Sequence, residues 1–209
     1  MTVRQHTRRR TTAAALAALA VAGGTLVATT GPAAAAPASA PVAAEPAPVA
    51  SVDVPRYLGR WYQIASVPAF FEVQCLKDVT ADYGLNSAGM VSVRNACTSL
   101  FGLKSSIKGA AKPLDASNAR LNVSFLGLNG TYRHTSDANY IVVGLAPDYS
   151  WAVVTDSDRR SGFVLSRTPA LPAAATTEAQ AALTAAGIDP CTLKKTVQTG
   201  ANTSRGAFC

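Results

Sequence analysis

The sequence predicts an all-β fold, an eight-stranded antiparallel up-and-down β-barrel with one C-terminal α-helix packed against its outside. Three observations lead there. Eight short apolar runs follow one another, several alternate with a period of two, and brief clusters of Gly, Pro, Asn and Asp separate most of them. The runs cover 61–65, 79–85, 90–97, 105–111, 119–126, 140–146, 150–155 and 162–167. In the fifth, Leu121, Val123 and Phe125 alternate with Arg120, Asn122 and Ser124, as on a strand with one buried and one wet face. Turn clusters such as Asn86-Ser87-Ala88-Gly89, Pro113-Leu114-Asp115 and Pro147-Asp148 make successive strands antiparallel neighbours. Closing eight such strands removes exposed edges and leaves room for one small ligand.

The helix comes late. Pro172 suits its first turn, Leu171, Ala175, Ala179, Ala182, Leu183 and Ala186 share one side, and Gly187 with Pro190 ends it. Its small apolar face fits close packing on a sheet. A last short strand is predicted at 193–199.

Composition divides the 209 residues into three parts. Residues 1–36 read as a secretory signal peptide: a basic stretch from Arg4 to Arg10, an alanine-rich apolar run from Ala13 to Val27, and the A-x-A pattern at Ala33-Ala34-Ala35. The apolar run is short for a bilayer span, and no cysteine near it could carry a lipid anchor, so the expected product is secreted and extracellular. Residues 37–52 form a Pro/Ala-rich linker, and 53–209 the barrel, its helix and a disulfide-tethered tail. Of the +7 net charge, Arg4, Arg8, Arg9 and Arg10 supply four, which leaves no basic stripe in the body and argues against a nucleic-acid partner.

All four cysteines, Cys75, Cys97, Cys191 and Cys209, fall in the exported part, and an even count there points to two disulfides. Three pairings satisfy the sequence. The favoured one is Cys75–Cys97 with Cys191–Cys209. Outside the signal the one histidine is His134, so a metal site would lack ligands, and no metal or other cofactor is expected.

Local marks at the closing points of the barrel now identify a family. Gly59-Arg60-Trp61-Tyr62 opens the first strand after Asp53-Val54-Pro55-Arg56-Tyr57-Leu58; Ala146-Pro147-Asp148-Tyr149-Ser150-Trp151 precedes the seventh; Leu165-Ser166-Arg167-Thr168-Pro169 ends the eighth. From Asp53 to Thr199 the chain resembles the lipocalins, in particular the branch of bacterial lipocalin and apolipoprotein D-like proteins. The resemblance implies that Gly59, Trp61 and Arg167 close the barrel, with the guanidinium stacked on the indole. It also makes a tether from Cys209 to the barrel the rival disulfide arrangement.

With Trp61 inward, alternation places Gln63 and Ala65 inside, and Tyr62 and Ile64 outside toward the helix. The resemblance puts Tyr83 in the cavity, and alternation then carries Ala81 and Val79 inward. Val91, Val93 and Asn95 follow on the third strand. That arrangement needs register numbers on strands two and three that sum to an even value, so Asn86 pairs Met90 and Gly89 takes the left-handed position of a three-residue turn. Ile107, Leu121, Val123, Phe125, Tyr140, Val142 and Phe163 complete the wall, Phe163 standing where the resemblance implies a tryptophan. Phe70 and Phe71, in the loop 66–77, are assigned to the mouth, as ligand guard, rim packing, or contact with a membrane or envelope.

The function that follows is a monomeric secreted carrier or scavenger of a small hydrophobic ligand, such as a fatty acid, lysophospholipid, isoprenoid or pigment. An enzyme would need a cavity thiol or paired carboxylates, and the inward strand positions hold no acid, so no catalytic residue is assigned. A lipid-modifying enzyme on the same fold, and an interaction module using Phe70, Phe71 and the loop 127–139, are the alternatives.

Overall fold

The computed structural model describes residues 44–87 and 89–209; the predicted signal peptide and residues 37–43 of the predicted linker lie outside these. The strands are β1 (Gly59–Ser66), β2 (Lys77–Leu85), β3 (Val91–Thr98), β4 (Lys104–Pro113), β5 (Arg120–Ser124), β6 (Gly127–Leu128), β7 (Thr131–Tyr132), β8 (Tyr140–Leu145), β9 (Trp151–Thr155), β10 (Gly162–Ser166) and β11 (Lys194–Lys195). The order β10-β9-β8-β5-β4-β3-β2-β1 closes through an antiparallel β1–β10 pairing, so the eight predicted strands form the barrel. The small β6–β7 hairpin falls in the predicted loop 127–139.

One end is shut by a short helix, α1 (Val54–Tyr57). Asp53 caps it, accepting from Arg56 N at 3.2 Å. Trp61 is fully buried and donates its Nε1–H to Tyr57 O at 2.9 Å. The Arg167 guanidinium lies 3.8 Å above the indole and donates to Arg60 O at 2.9 Å, Arg56 O at 2.7 Å and Tyr149 O at 3.3 Å. A single side chain thus ties α1, β1 and the β8–β9 turn. Gly59 has φ +94°, a conformation side-chain-bearing residues rarely adopt. Residues 44–52, predicted as linker from their proline content, run against this end: Val49 N donates to Val142 O and Val52 N to Ser117 O, both at 2.8 Å, and Val52 is buried beside Tyr57 and Trp61.

The second helix, α2 (Ala173–Ala185), lies on the outside with the predicted face inward. Ala179, Leu183 and Ala186 are buried against Ile64, Trp151, Val153 and Val164, with Leu171, Ala175 and Ala182 beside them. Gly144 permits the approach, since a Cβ there would sit 2.6 Å from Ala182 Cβ. Two bulges shift the side-chain parity. In β8 the register slips between Val142 and Gly144, so Val143 and Gly144 both face the helix. In β1 it slips between Gln63 and Ala65, which corrects one expectation: Ala65 packs outside with Ile64, and Ser66, paired with Phe163, takes the inward position.

The predicted β2–β3 register holds, with Tyr83 opposite Val93, Asn86 N donating to Met90 O at 2.9 Å and Gly89 at φ +75°. The β1–β2 ladder reaches only Tyr62 and Thr80, and toward the open end the C-terminal tail enters the gap. Its ladder is shorter than the predicted 193–199, yet Thr196 N donates to Ile64 O, Asp78 N donates to Val197 O, and Gln198 Nε2 bridges Gln63 O and Val79 O. The disulfides are Cys75–Cys97 and Cys191–Cys209, with Cα–Cα distances of 5.5 and 4.8 Å. The rival tether from Cys209 to a barrel cysteine is therefore not formed.

Arg167→Ala should lower stability by about 2–3 kcal/mol by removing three hydrogen bonds and the ring contact. Arg167→Lys should recover less than half of that, since an ammonium lacks the planar fork; denaturant titration with circular dichroism measures both. Gly144→Ala should cost about 1–3 kcal/mol by overpacking against α2, read as a lowered thermal midpoint.

Candidate ligand-binding site

Strand parity brings the predicted wall together. Tyr83 pairs Val93, Val93 pairs Gly109, and Asn95 pairs both Ala81 and Ile107; Leu121 and Val123 follow on β5, and Tyr140, Val142, Val154 and Phe163 face the same interior. Gly109 makes room for one neighbour, since a Cβ there would come within 2.7 Å of Phe125 Cδ1.

The closed end of this interior is aromatic, with its three hydroxyls linked to one another. Tyr140 Oη lies 2.9 Å from Tyr57 Oη and 3.0 Å from Tyr83 Oη, and the Tyr57 and Tyr83 rings stack at 5.9 Å. Burial pushes the Tyr83 phenol up to about 12 and holds Tyr57 and Tyr140 well above the usual phenol value, so all three are neutral at physiological pH. Tyr57 is a residue the sequence reading missed. It precedes β1, where alternation assigns no direction.

Toward the mouth the interior opens. Ile107, held inward by its pairing with Asn95, is 50% exposed, and Phe125 is 37% exposed; Val91, Val123 and Phe163 are half-buried. An inward residue can be this exposed only where water enters the barrel. Among these apolar neighbours Asn95 Oδ1 is buried with no hydrogen-bond partner. Such an oxygen costs about 1–3 kcal/mol until a donor reaches it.

At the mouth a carboxyl group turns in. Glu72 Oε2 accepts from Ser66 Oγ at 3.1 Å and from Gln63 Nε2 at 3.3 Å, and Gln63 Nε2 also reaches Ser66 Oγ and Thr196 Oγ1. Burial raises the Glu72 carboxyl above its usual range, while the bonds from Gln63 and Ser66 partly offset that. The expectation of no inward acid therefore holds for the strand positions alone. Glu72 comes from a loop, where no period orients a side chain, and the sequence reading placed Ser66 in that same loop. Phe70 and Phe71 are not brought into the interior: they form an edge-to-face pair 5.5 Å apart, 89% and 51% exposed. His134 also lies outside, its Nδ1 against Asn122 O and Oδ1 on the outer face of β5.

A family model described as a lipocalin-like domain matches residues 52–198. The chain is a lipocalin. Apolipoprotein D of Mus musculus is 34% identical over 143 residues, which cover 66% of this chain and 72% of the relative. The outer membrane lipoprotein Blc of Escherichia coli K12 is 34% identical over 143 residues, 68% of this chain and 76% of the relative. Lobster apocrustacyanin A1 superposes with a TM-score of 0.54 at 18% identity, over 78% of this chain and 94% of that one, a likeness of fold alone. Lipocalins are known for binding small hydrophobic ligands.

The raised Glu72 value sets a pH dependence for this lipocalin. A carboxyl that the fold prefers protonated contributes its full share of stability below the unfolded pKa and loses it as pH rises through the folded one. Glu72→Gln keeps an acceptor for Gln63 and Ser66 and removes the ionisation. It should melt at a higher temperature than the parent at pH 7–8, with the difference shrinking toward pH 4. Thermal melts across that range check it.

Proposed function

We propose that this lipocalin is exported and carries or scavenges a small hydrophobic molecule inside the barrel, in a binding rather than a catalytic role. The observation that carries the reading is the inward apolar wall that stays exposed to solvent toward the mouth, at Ile107 and Phe125. The tyrosine floor ties its three hydroxyls together with two hydrogen bonds, which leaves ring surface and one remaining O–H for a ligand. Binding would come from burying apolar ligand against Val93, Leu121, Val123, Val142 and Phe163, while a hydroxyl or protonated carboxyl of the ligand donates to Asn95. Fatty acids, lysophospholipids, isoprenoids and apolar pigments fit that description. The two disulfides support work in an oxidising compartment outside the cytoplasm.

Native mass spectrometry after gentle extraction should show an apolar molecule retained, and a fluorescent fatty-acid probe should titrate the purified protein. Absence of both a retained ligand and a titratable probe would refute the carrier role. Asn95→Leu should weaken a hydroxylated ligand by about fivefold to tenfold through loss of one acceptor, and leave a hydrocarbon probe unchanged or tighter.

A further inference from the structure

Among the described residues, exposed large hydrophobic side chains concentrate at the open end of the barrel, and Leu85 is the exception at the other end. Two adjacent loops hold the most prominent. Phe70, Phe71 and Val73 lie on the β1–β2 loop, 89%, 51% and 82% exposed; Leu100, Phe101 and Leu103 lie on the β3–β4 loop, 57%, 94% and 64% exposed. The Cys75–Cys97 disulfide and the bond from Leu76 N to Thr98 O, at 2.9 Å, hold the two loops side by side.

Phe101 shows that this exposure is built in. Its φ of 59° and ψ of 20° are left-handed, unfavourable for an aromatic residue and suited to Gly or Asn. The surrounding loop enforces it: Ser99 N and Ser99 Oγ both donate to Leu103 O, at 2.8 and 3.1 Å, and Leu103 N donates to Leu100 O. A strained backbone here thrusts a phenyl ring into water, and nothing within the described chain is gained by it.

Beside these two loops the positive side chains outnumber the acidic ones. From residue 66 to 77 and from 98 to 104 the acidic residue is Glu72, and its carboxyl is turned inward. Lys77 and Lys104 flank the two loops, and Arg205 reaches in to donate to Leu76 O. Asp78, just below, accepts from Thr199 and Thr98 and lies 4.0 Å from Lys77 Nζ, so Lys104 and Arg205 carry the excess. Apart from the Phe70–Phe71 pair, these apolar side chains are spread over two loops and stand well out into solvent, which matches a fluid apolar phase better than a protein surface that would need shape complementarity. We propose that this rim docks the protein, mouth first, onto an anionic lipid bilayer, the phenylalanines entering the acyl boundary and the cations meeting the headgroups. The contact goes beyond uptake of a ligand and stands whether or not the barrel is loaded.

Cosedimentation with vesicles of phosphatidylcholine and phosphatidylglycerol tests it, with phosphatidylcholine vesicles as comparison. The protein should associate with the mixed vesicles more strongly, and salt should erode the difference. Phe101→Asn suits the left-handed backbone, so it should melt at the same or a higher temperature and titrate the fatty-acid probe as the parent does. Its vesicle partition should fall at least about tenfold, and further with Val73→Ser. The proposal is overturned if the parent ignores both vesicles, if Phe101→Asn partitions equally, or if the parent instead forms a dimer that Phe101→Asn dissolves. A failure of docking with probe binding intact leaves the carrier role standing, and the reverse result leaves docking standing.

Discussion

The contact between Arg167 and Trp61 is the constraint on which the rest of the barrel depends. A barrel of eight strands needs one end plugged before its interior can be a site instead of a channel, and the plug must hold strands from both ends of the chain. Trp61 supplies the bulk from β1, and Arg167, at the end of β10, supplies the cover. Because the guanidinium donates to three carbonyls from three segments, its positive charge is solvated by backbone dipoles without a carboxylate. The β1–β10 closure and the seat of α1 are therefore fixed by one group.

With the base shut, polarity is distributed unequally along the barrel axis. The lower interior links the hydroxyls of its three tyrosines by two hydrogen bonds and presents mostly aromatic surface. The middle keeps one unspent acceptor, Asn95 Oδ1. Near the mouth Gln63, Ser66, Glu72 and Thr196 make a hydrogen-bonded cluster linking β1, the first loop and the C-terminal tail. The tail is thus part of the barrel wall, since Gln198 spans β1 and β2 where their own ladder has ended.

Much of this was legible from period and punctuation. Alternation of two separates the faces wherever a strand stays regular, so once the family resemblance had set Tyr83 inward the inward sides of β2 to β5 followed, as the helix face from Leu171 to Ala186 did from its own period. The reading failed where regularity fails. One extra residue at the β1 bulge exchanges Ala65 for Ser66, and nothing in the local sequence marks it. Glu72 and Tyr57 lie outside strands, and the prolines of residues 44–52 resemble those of a free linker while several backbone groups there bond to the barrel.

The sequence by itself determined the fold class, the order of the strands, the two faces of those that stay regular, the marks of the closing residues and the cysteines available for pairing. These follow from local periodicity and from marks carried on single residues. Only the tertiary structure decided the inward turn of Glu72, the orphaned oxygen of Asn95, the seam filled by Gln198 and the outward aromatic rim. Each depends on which groups from distant parts of the chain arrive within hydrogen-bond reach, or fail to arrive, and no local pattern records the position of a partner a hundred residues away.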